Sequence, residues 1–124
     1  MFRILIVEDN RSYRESLKEI LDEVKFPSVI VKEAENGKEA MEKADVFRPN
    51  LILMDIGLPD ESGLELTKKI KAKYPDVSVA MLTTHDAPEY REAAFRYGAG
   101  HFLTKGETTR EEVQKLVNSS LSEK

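Results

Sequence analysis

The chain has 124 residues, of which 40% are hydrophobic and 34% charged, and this balance is typical of one soluble domain. It contains no cysteine, which excludes a disulfide framework, thiol catalysis and a cysteine-based zinc site and is compatible with a reducing, cytoplasmic location. The net charge of −4 offers no basic footprint for direct nucleic acid binding. No apolar stretch approaches the length of a membrane span.

Apolar runs typical of strands alternate along the chain with segments of helical spacing. The predicted strands are Phe2–Val7, 29–34, Leu51–Met54, 77–82 and 100–104. The predicted helices run from about Tyr13 to Val24 before Pro27, from Gly37 to Phe47 before Pro49, from Ser62 to Ile70, from Ala87 to Tyr97 before Gly98, and from Thr109 as N-cap to Leu121. The polar residues 119–124 are expected to fray or to begin a linker.

Five strands that alternate with helices predict parallel pairing and right-handed crossovers. The expected fold class is α/β, a doubly wound three-layer sandwich with helices on both faces of one sheet. We see no internal repeat and no linker between domains, so residues 1–124 are expected to form one domain.

Asp55 is the first candidate for a functional residue. It follows the apolar run Leu51–Met54, and Gly57 and Pro59 come directly after it. A run this short and apolar suits a strand buried on both faces, and an acid at its end belongs at the rim, because a carboxylate is costly to bury in an apolar interior. Ligands of open α/β sheets bind at the carboxyl ends of the strands, so we expect Asp55 to act as a nucleophile.

Other polar residues end the neighbouring strands. The first strand ends in Glu8 and Asp9, the fourth in Thr83 and the fifth in Lys105. Three carboxylates that meet at one rim repel one another unless a cation lies among them. A site with oxygen ligands only favours a hard cation such as Mg²⁺. We therefore expect Mg²⁺, Lys105 and the Thr83 hydroxyl to form a site for a phosphoryl group, with Asp55 as the attacking carboxylate.

These residues resemble those of a response-regulator receiver domain, the CheY-like family of two-component signalling. The resemblance covers essentially the whole chain and rests on a set of separated positions: Glu8–Asp9, Asp55 with Pro59, Gly63, Thr83 and Lys105. It implies the flavodoxin-like strand order 2-1-3-4-5. Gly106 is a departure, because the family often has proline there.

The resemblance also implies a role for each residue. Asp55 would accept a phosphoryl group from a sensor histidine kinase. Asp9, Asp55 and the backbone carbonyl of Gly57 would bind Mg²⁺, with Glu8 acting mainly through water. Lys105 would pair with the phosphate. Thr83 would move to bond it, and Phe102 would follow as the second switch residue.

The implied function is a phosphorylation-dependent switch rather than an enzyme, with at most slow self-dephosphorylation. Its output would be a contact of the fourth helix, fifth strand and fifth helix with a second copy or with an output domain, and transcription regulation is one such output. Packing alone would equally account for Phe102.

Two other functions fit parts of the pattern. Mg²⁺-dependent phosphatases also use an Asp nucleophile after a strand, but they carry a second acid at the position that Gly57 occupies here. A flavodoxin-like FMN binder needs hydroxyls and amides after the first strand, where Glu8–Asp9 would repel a phosphate. We assign no role to His85 or His101, because neither has a partner at the spacing of metal ligands.

Overall fold

The structure is a computed structural model, and it describes residues 1–24 and 28–122, without the side chain of Ser122. The break predicted at Pro27 lies outside the described residues. The strands are β1 (Phe2–Val7), β2 (Val29–Ala34), β3 (Leu51–Met54), β4 (Ser78–Thr83) and β5 (His101–Thr104). The helices are α1 (Arg11–Asp22), α2 (Gly37–Phe47), α3 (Gly63–Lys73), α4 (Pro88–Arg96) and α5 (Arg110–Ser122).

The strands form one parallel sheet in the order β2-β1-β3-β4-β5. This confirms the doubly wound fold and the strand order. Alternate side chains of each strand enter two separate cores, as the pleat requires. Ile4 and Ile6 of β1 pack on the side that includes residues of α1 and α5, whereas Leu5 and Val7 pack with residues of α2, α3 and α4.

Side chains satisfy terminal backbone amides at the starts of α1 and α3, and a glycine follows the end of α4. The Asn10 and Ser62 side chains accept from the amides of Tyr13 and Leu64, at the starts of α1 and α3. Gly98, with φ of +111°, follows the end of α4 as predicted. None of the described helices combines the length and apolar character that a bilayer crossing requires.

The last helix ends at Ser122, one residue after the predicted end at Leu121. Residues 119–122, which were expected to fray or to begin a linker, are therefore helical. Helical spacing explains the difference, because it places the buried Ser120 and the half-buried Leu121 against the core, three and four residues after Val117. Residues 123 and 124 lie outside the described residues.

Candidate functional site

The loop between β1 and α1 carries two acids at the carboxyl end of β1. Glu8 continues the sheet by one residue, since its amide donates to Ala34 O at 3.0 Å. Its side chain is 2% exposed, and its Oε2 accepts from the Asn10 amide at 3.0 Å. Asp9 is exposed beside it. The loop therefore presents one buried and one accessible carboxylate at the rim.

Asp55 lies at the centre of the same rim, directly after β3. Its amide donates to Val7 O at 3.0 Å, which fixes it beside the β1 loop. The residue is 7% exposed, and its Oδ1 accepts from the Gly57 amide at 3.3 Å. Gly63 packs so closely that a Cβ there would lie 2.0 Å from Asp55 O. A glycine is thus required where α3 begins against the backbone of Asp55.

Lys105 joins two of the carboxylates. Its Nζ donates to Asp55 Oδ2 at 2.9 Å and forms an ion pair with Glu8 Oε1. The ammonium also lies 4.6 Å from the centroid of the Tyr13 ring, within cation–π range. One half-buried ammonium therefore forms ion pairs with two buried carboxylates.

Thr83 ends β4 and is fully buried. Its hydroxyl is close enough to the Asp55 carboxylate to lower the pKa of that group, and it accepts from the His85 amide at 3.1 Å. The exposed His85 imidazole lies against Gly57, because a Cβ there would come within 2.8 Å of His85 Nε2. No sequence pattern predicted that His85 would lie at the edge of the site. Its position two residues after Thr83 is the only signal of it.

The pKa values at the site follow from burial and from the shared ammonium. Burial raises the pKa of the Glu8 carboxyl, and hydrogen bonds from Lys105 and the Asn10 amide offset only part of that effect. Burial also opposes ionisation of Asp55, but hydrogen bonds from Thr83 and Lys105 outweigh it and hold its pKa below the usual range. The ion pairs of Lys105 with Glu8 and Asp55 raise the pKa of Lys105, although burial acts to lower it. Asp55 is therefore a carboxylate at neutral pH.

The donor set fits a hard divalent cation. Glu8, Asp9 and Asp55 each offer a carboxylate oxygen, and the three oxygens lie within 4.8 Å of one another. Lys105 is the cation that pairs with Glu8 and Asp55 in the part of the chain that the structure describes. Negative charge is thus left over in a cluster of oxygen ligands, which suits Mg²⁺ rather than a metal that prefers nitrogen or sulfur.

Phe102 lies on β5, three residues before Lys105, and points into the core. Its ring is 7% exposed, and the Arg91 guanidinium lies 4.8 Å from its centroid. The structure therefore brings together Glu8, Asp9, Asp55, Thr83 and Lys105, as the strand ends predicted, and places Phe102 behind them rather than among them.

Known proteins share the sequence pattern and the fold of this chain. The family described as "Response regulator receiver domain" matches residues 4–118. The chain belongs to this family. Receiver domains of response regulators are phosphorylation-dependent signalling switches that relay to an output, and they bind Mg²⁺ through acidic residues.

Two curated relatives show how much of a response regulator this receiver domain covers. It is 41% identical over 105 residues to the transcriptional regulatory protein YdfI of Bacillus subtilis, covering 85% of the chain and 48% of that protein. It is 31% identical over 116 residues to the response regulator GacA of Pseudomonas viridiflava, covering 94% of the chain and 54% of that protein. The receiver domain thus spans about half the length of these relatives.

Solved structures agree over nearly the whole chain. A CheY-like receiver domain protein from Methanospirillum hungatei superposes with a TM-score of 0.88 at 29% identity, covering 99% of this chain and 96% of that one. A DNA-binding response regulator of the LuxR family from Staphylococcus aureus gives a TM-score of 0.86 at 25% identity, covering 97% and 98%. The receiver fold is shared from end to end.

Proposed function

We propose that Asp55 is the phosphoacceptor of this receiver domain and that a histidine kinase is the donor. The observation that carries the proposal is the state of Asp55: a carboxylate kept ionised at the rim, 2.9 Å from an ammonium and beside two more acids. The other two acids differ from it. Glu8 is buried with a raised pKa, and Asp9 is exposed.

The transfer is a displacement at phosphorus. An Asp55 oxygen forms a bond to phosphorus while the bond from phosphorus to the donor imidazole nitrogen breaks, and the electron pair of that bond returns to the nitrogen. We assign the Mg²⁺ to Asp9, Asp55 and the backbone carbonyl of Gly57, with Glu8 acting through water. Bound there, the cation would neutralise the carboxylates and the phosphoryl oxygens.

Lys105 and Thr83 would then bind the phosphoryl group on Asp55. The Lys105 ammonium, which pairs with the Asp55 carboxylate, is close enough to pair with a phosphoryl oxygen instead. The Thr83 hydroxyl, which already bonds Asp55, would turn to a second oxygen. Phe102 lies on the strand that leads to Lys105, and we infer that its packing against Arg91 changes when Lys105 and Thr83 move.

The output is proposed at the face of α4, β5 and α5, as a contact with a second copy or with an output domain. Transcription regulation is the output that the relatives' names suggest for those proteins. Gly57 offers no side chain to position a water molecule, so slow self-dephosphorylation is expected. The cytoplasmic location and the lack of direct nucleic acid binding by this domain remain predictions.

The test is phosphoryl uptake from a small acyl phosphate, followed by the mass of the intact protein. We expect one phosphoryl group on the native protein with Mg²⁺ and none without it. Asp55→Asn should take up none, whereas Asp60→Asn, an exposed acid in the same loop, should behave as the native protein does. Uptake by Asp55→Asn, or none by the native protein, would refute the assignment.

A further inference from the structure

The guanidinium of Arg14 is buried behind the acidic loop. It comes from the second turn of α1, and the residue is 7% exposed. Its Nη1 donates to Glu8 O at 2.8 Å. That oxygen belongs to the peptide that joins Glu8 to Asp9, and because a peptide is planar, holding its oxygen also fixes the plane from which Asp9 begins.

Two acids hold this guanidinium on its other side, Glu33 within β2 and Glu35 directly after it. Arg14 Nε bonds Glu33 Oε1 at 3.1 Å, and Nη2 bonds Glu35 Oε1 at 3.1 Å. Lys18 pairs with the second oxygen of Glu33 at 3.2 Å. Three nitrogens of one planar group therefore bridge the neighbouring strand to the loop, which requires the fork of arginine rather than the single ammonium of lysine.

The two acids of the loop depend on Arg14 to different extents. The Glu8 side chain is fixed independently, by the Asn10 amide and by Lys105, and its own amide is bound to Ala34 O. Asp9 is exposed, and its direction follows from the peptide that Arg14 holds. Loss of the guanidinium would thus free Asp9 more than Glu8.

We propose that Arg14 is a positioning residue for the divalent cation: it orients the Glu8–Asp9 peptide so that the Asp9 carboxylate stays within reach of Asp55. This rests on the metal site of the proposed function. The change in Mg²⁺ affinity that it predicts for loss of Arg14 is opposite to the change expected from the charge of Arg14 alone. Removing the positive charge behind the acidic loop should strengthen Mg²⁺ binding by Coulomb attraction, whereas loss of positioning should weaken it.

The experiment is a Mg²⁺ titration of the unphosphorylated protein, followed by the NMR shifts of the amides at 8–10 and 55–57. For Arg14→Met we expect a Kd for Mg²⁺ roughly tenfold higher than that of the native protein, the size of effect found when partners of metal ligands are removed. Arg14→Lys should be weakened as well. The matched control is Arg11→Met, which removes an exposed arginine of the same helix whose partner is Glu15, and its Kd should not change.

Folding is checked separately by the midpoint of urea denaturation. If Arg14→Met does not fold, Arg14→Lys carries the test, because it keeps the positive charge and loses the fork of donors, and it should weaken Mg²⁺ binding. A Kd that is unchanged or lower in a folded Arg14 variant overturns the proposal, and so does a native protein that binds no Mg²⁺. A native protein that binds Mg²⁺ but takes up no phosphoryl group would refute the proposed function. The proposal for Arg14 would then be decided by the Kd of its variants for Mg²⁺.

Discussion

At the amino ends of the strands, charged side chains are paired one to one or bound to backbone. Arg3 Nε donates to Arg48 O at 2.7 Å, and the Arg3 amide donates to Asn50 Oδ1 at 2.8 Å. Lys73 pairs with Asp45 at 2.7 Å. At the carboxyl ends, three acids gather around one ammonium instead.

The difference shows how a structural cluster can be told from a functional one. At the amino ends, the polar groups join loops: Arg3 donates to a backbone carbonyl, and Lys73 pairs with a single exposed acid. At the carboxyl ends, the acids exceed the cations, and burial makes this excess expensive unless a metal or a phosphoryl chemistry uses it. A site of this kind is recognised by the charge that its own side chains do not neutralise.

The largest expected effect is a loss of stability when a methyl group is added to a closely packed glycine at the carboxyl ends of the strands. Gly63→Ala places a Cβ 2.0 Å from Asp55 O, and neither backbone can move without displacing the start of α3. The free energy of unfolding should fall by at least about 3 kcal/mol, measured by urea denaturation. Gly100 before β5, where a Cβ would meet nothing within 4 Å, is the control, and Gly100→Ala should change stability by less than ~1 kcal/mol. Equal losses in both would contradict the comparison.

The second prediction removes one lysine from each end. Lys105→Met leaves Glu8 and Asp55 without their ammonium, so phosphoryl uptake should slow at least about tenfold, which is ~1.4 kcal/mol of transition-state stabilisation. Its Mg²⁺ affinity should rise, because no ammonium competes for the carboxylates. Lys73→Met breaks an exposed pair at the amino end and should alter neither quantity. A slow Lys73→Met would show that the ends are coupled.

The smallest expected effect is on the pH dependence of stability. It concerns Asp60, an acid near the site whose role is structural. Asp60 caps α2 from the loop after β3, accepting from the Gly37 and Lys38 amides at 2.8 and 3.0 Å. The Gly37 amide bond contributes most to holding the pKa of Asp60 below its ordinary value. Its contribution to stability is therefore present above the unfolded pKa of about 3.9 and is lost as pH falls through the lower folded pKa.

Asp60→Asn should weaken the dependence of unfolding on pH below about pH 4 while leaving phosphoryl uptake intact. The measurement is thermal unfolding of both proteins across that range of pH. An unchanged pH profile would mean that the cap contributes nothing to acid stability.

The rim was predictable from sequence because it depends on short-range signals. Apolar runs mark the ends of β1, β3, β4 and β5, and parallel pairing brings those ends together in any fold of this class. Asp55 and Lys105 could therefore be placed near each other although fifty residues separate them.

Contacts that depend on how helices and loops dock were not predictable in the same way. Helical spacing places Arg14 on the buried face of α1 with Leu17 and Leu21, but only the approach of β2 gives it Glu33 and Glu35 as partners. Asp60 lies just before α3 in the chain, yet its carboxylate caps α2, which begins 23 residues earlier. The position of the His85 ring depends on the absence of a side chain at Gly57, and no spacing pattern in the sequence indicates this contact.

The position of the phosphoryl group tests the central claim most directly. After uptake with Mg²⁺, borohydride reduces an aspartyl phosphate to the alcohol homoserine, and peptide sequencing locates the altered residue. We predict homoserine at position 55 alone, with Glu8 and Asp9 unmodified. Modification at position 8 or 9, or at a site outside this rim, would contradict the assignment of Asp55 as the phosphoacceptor.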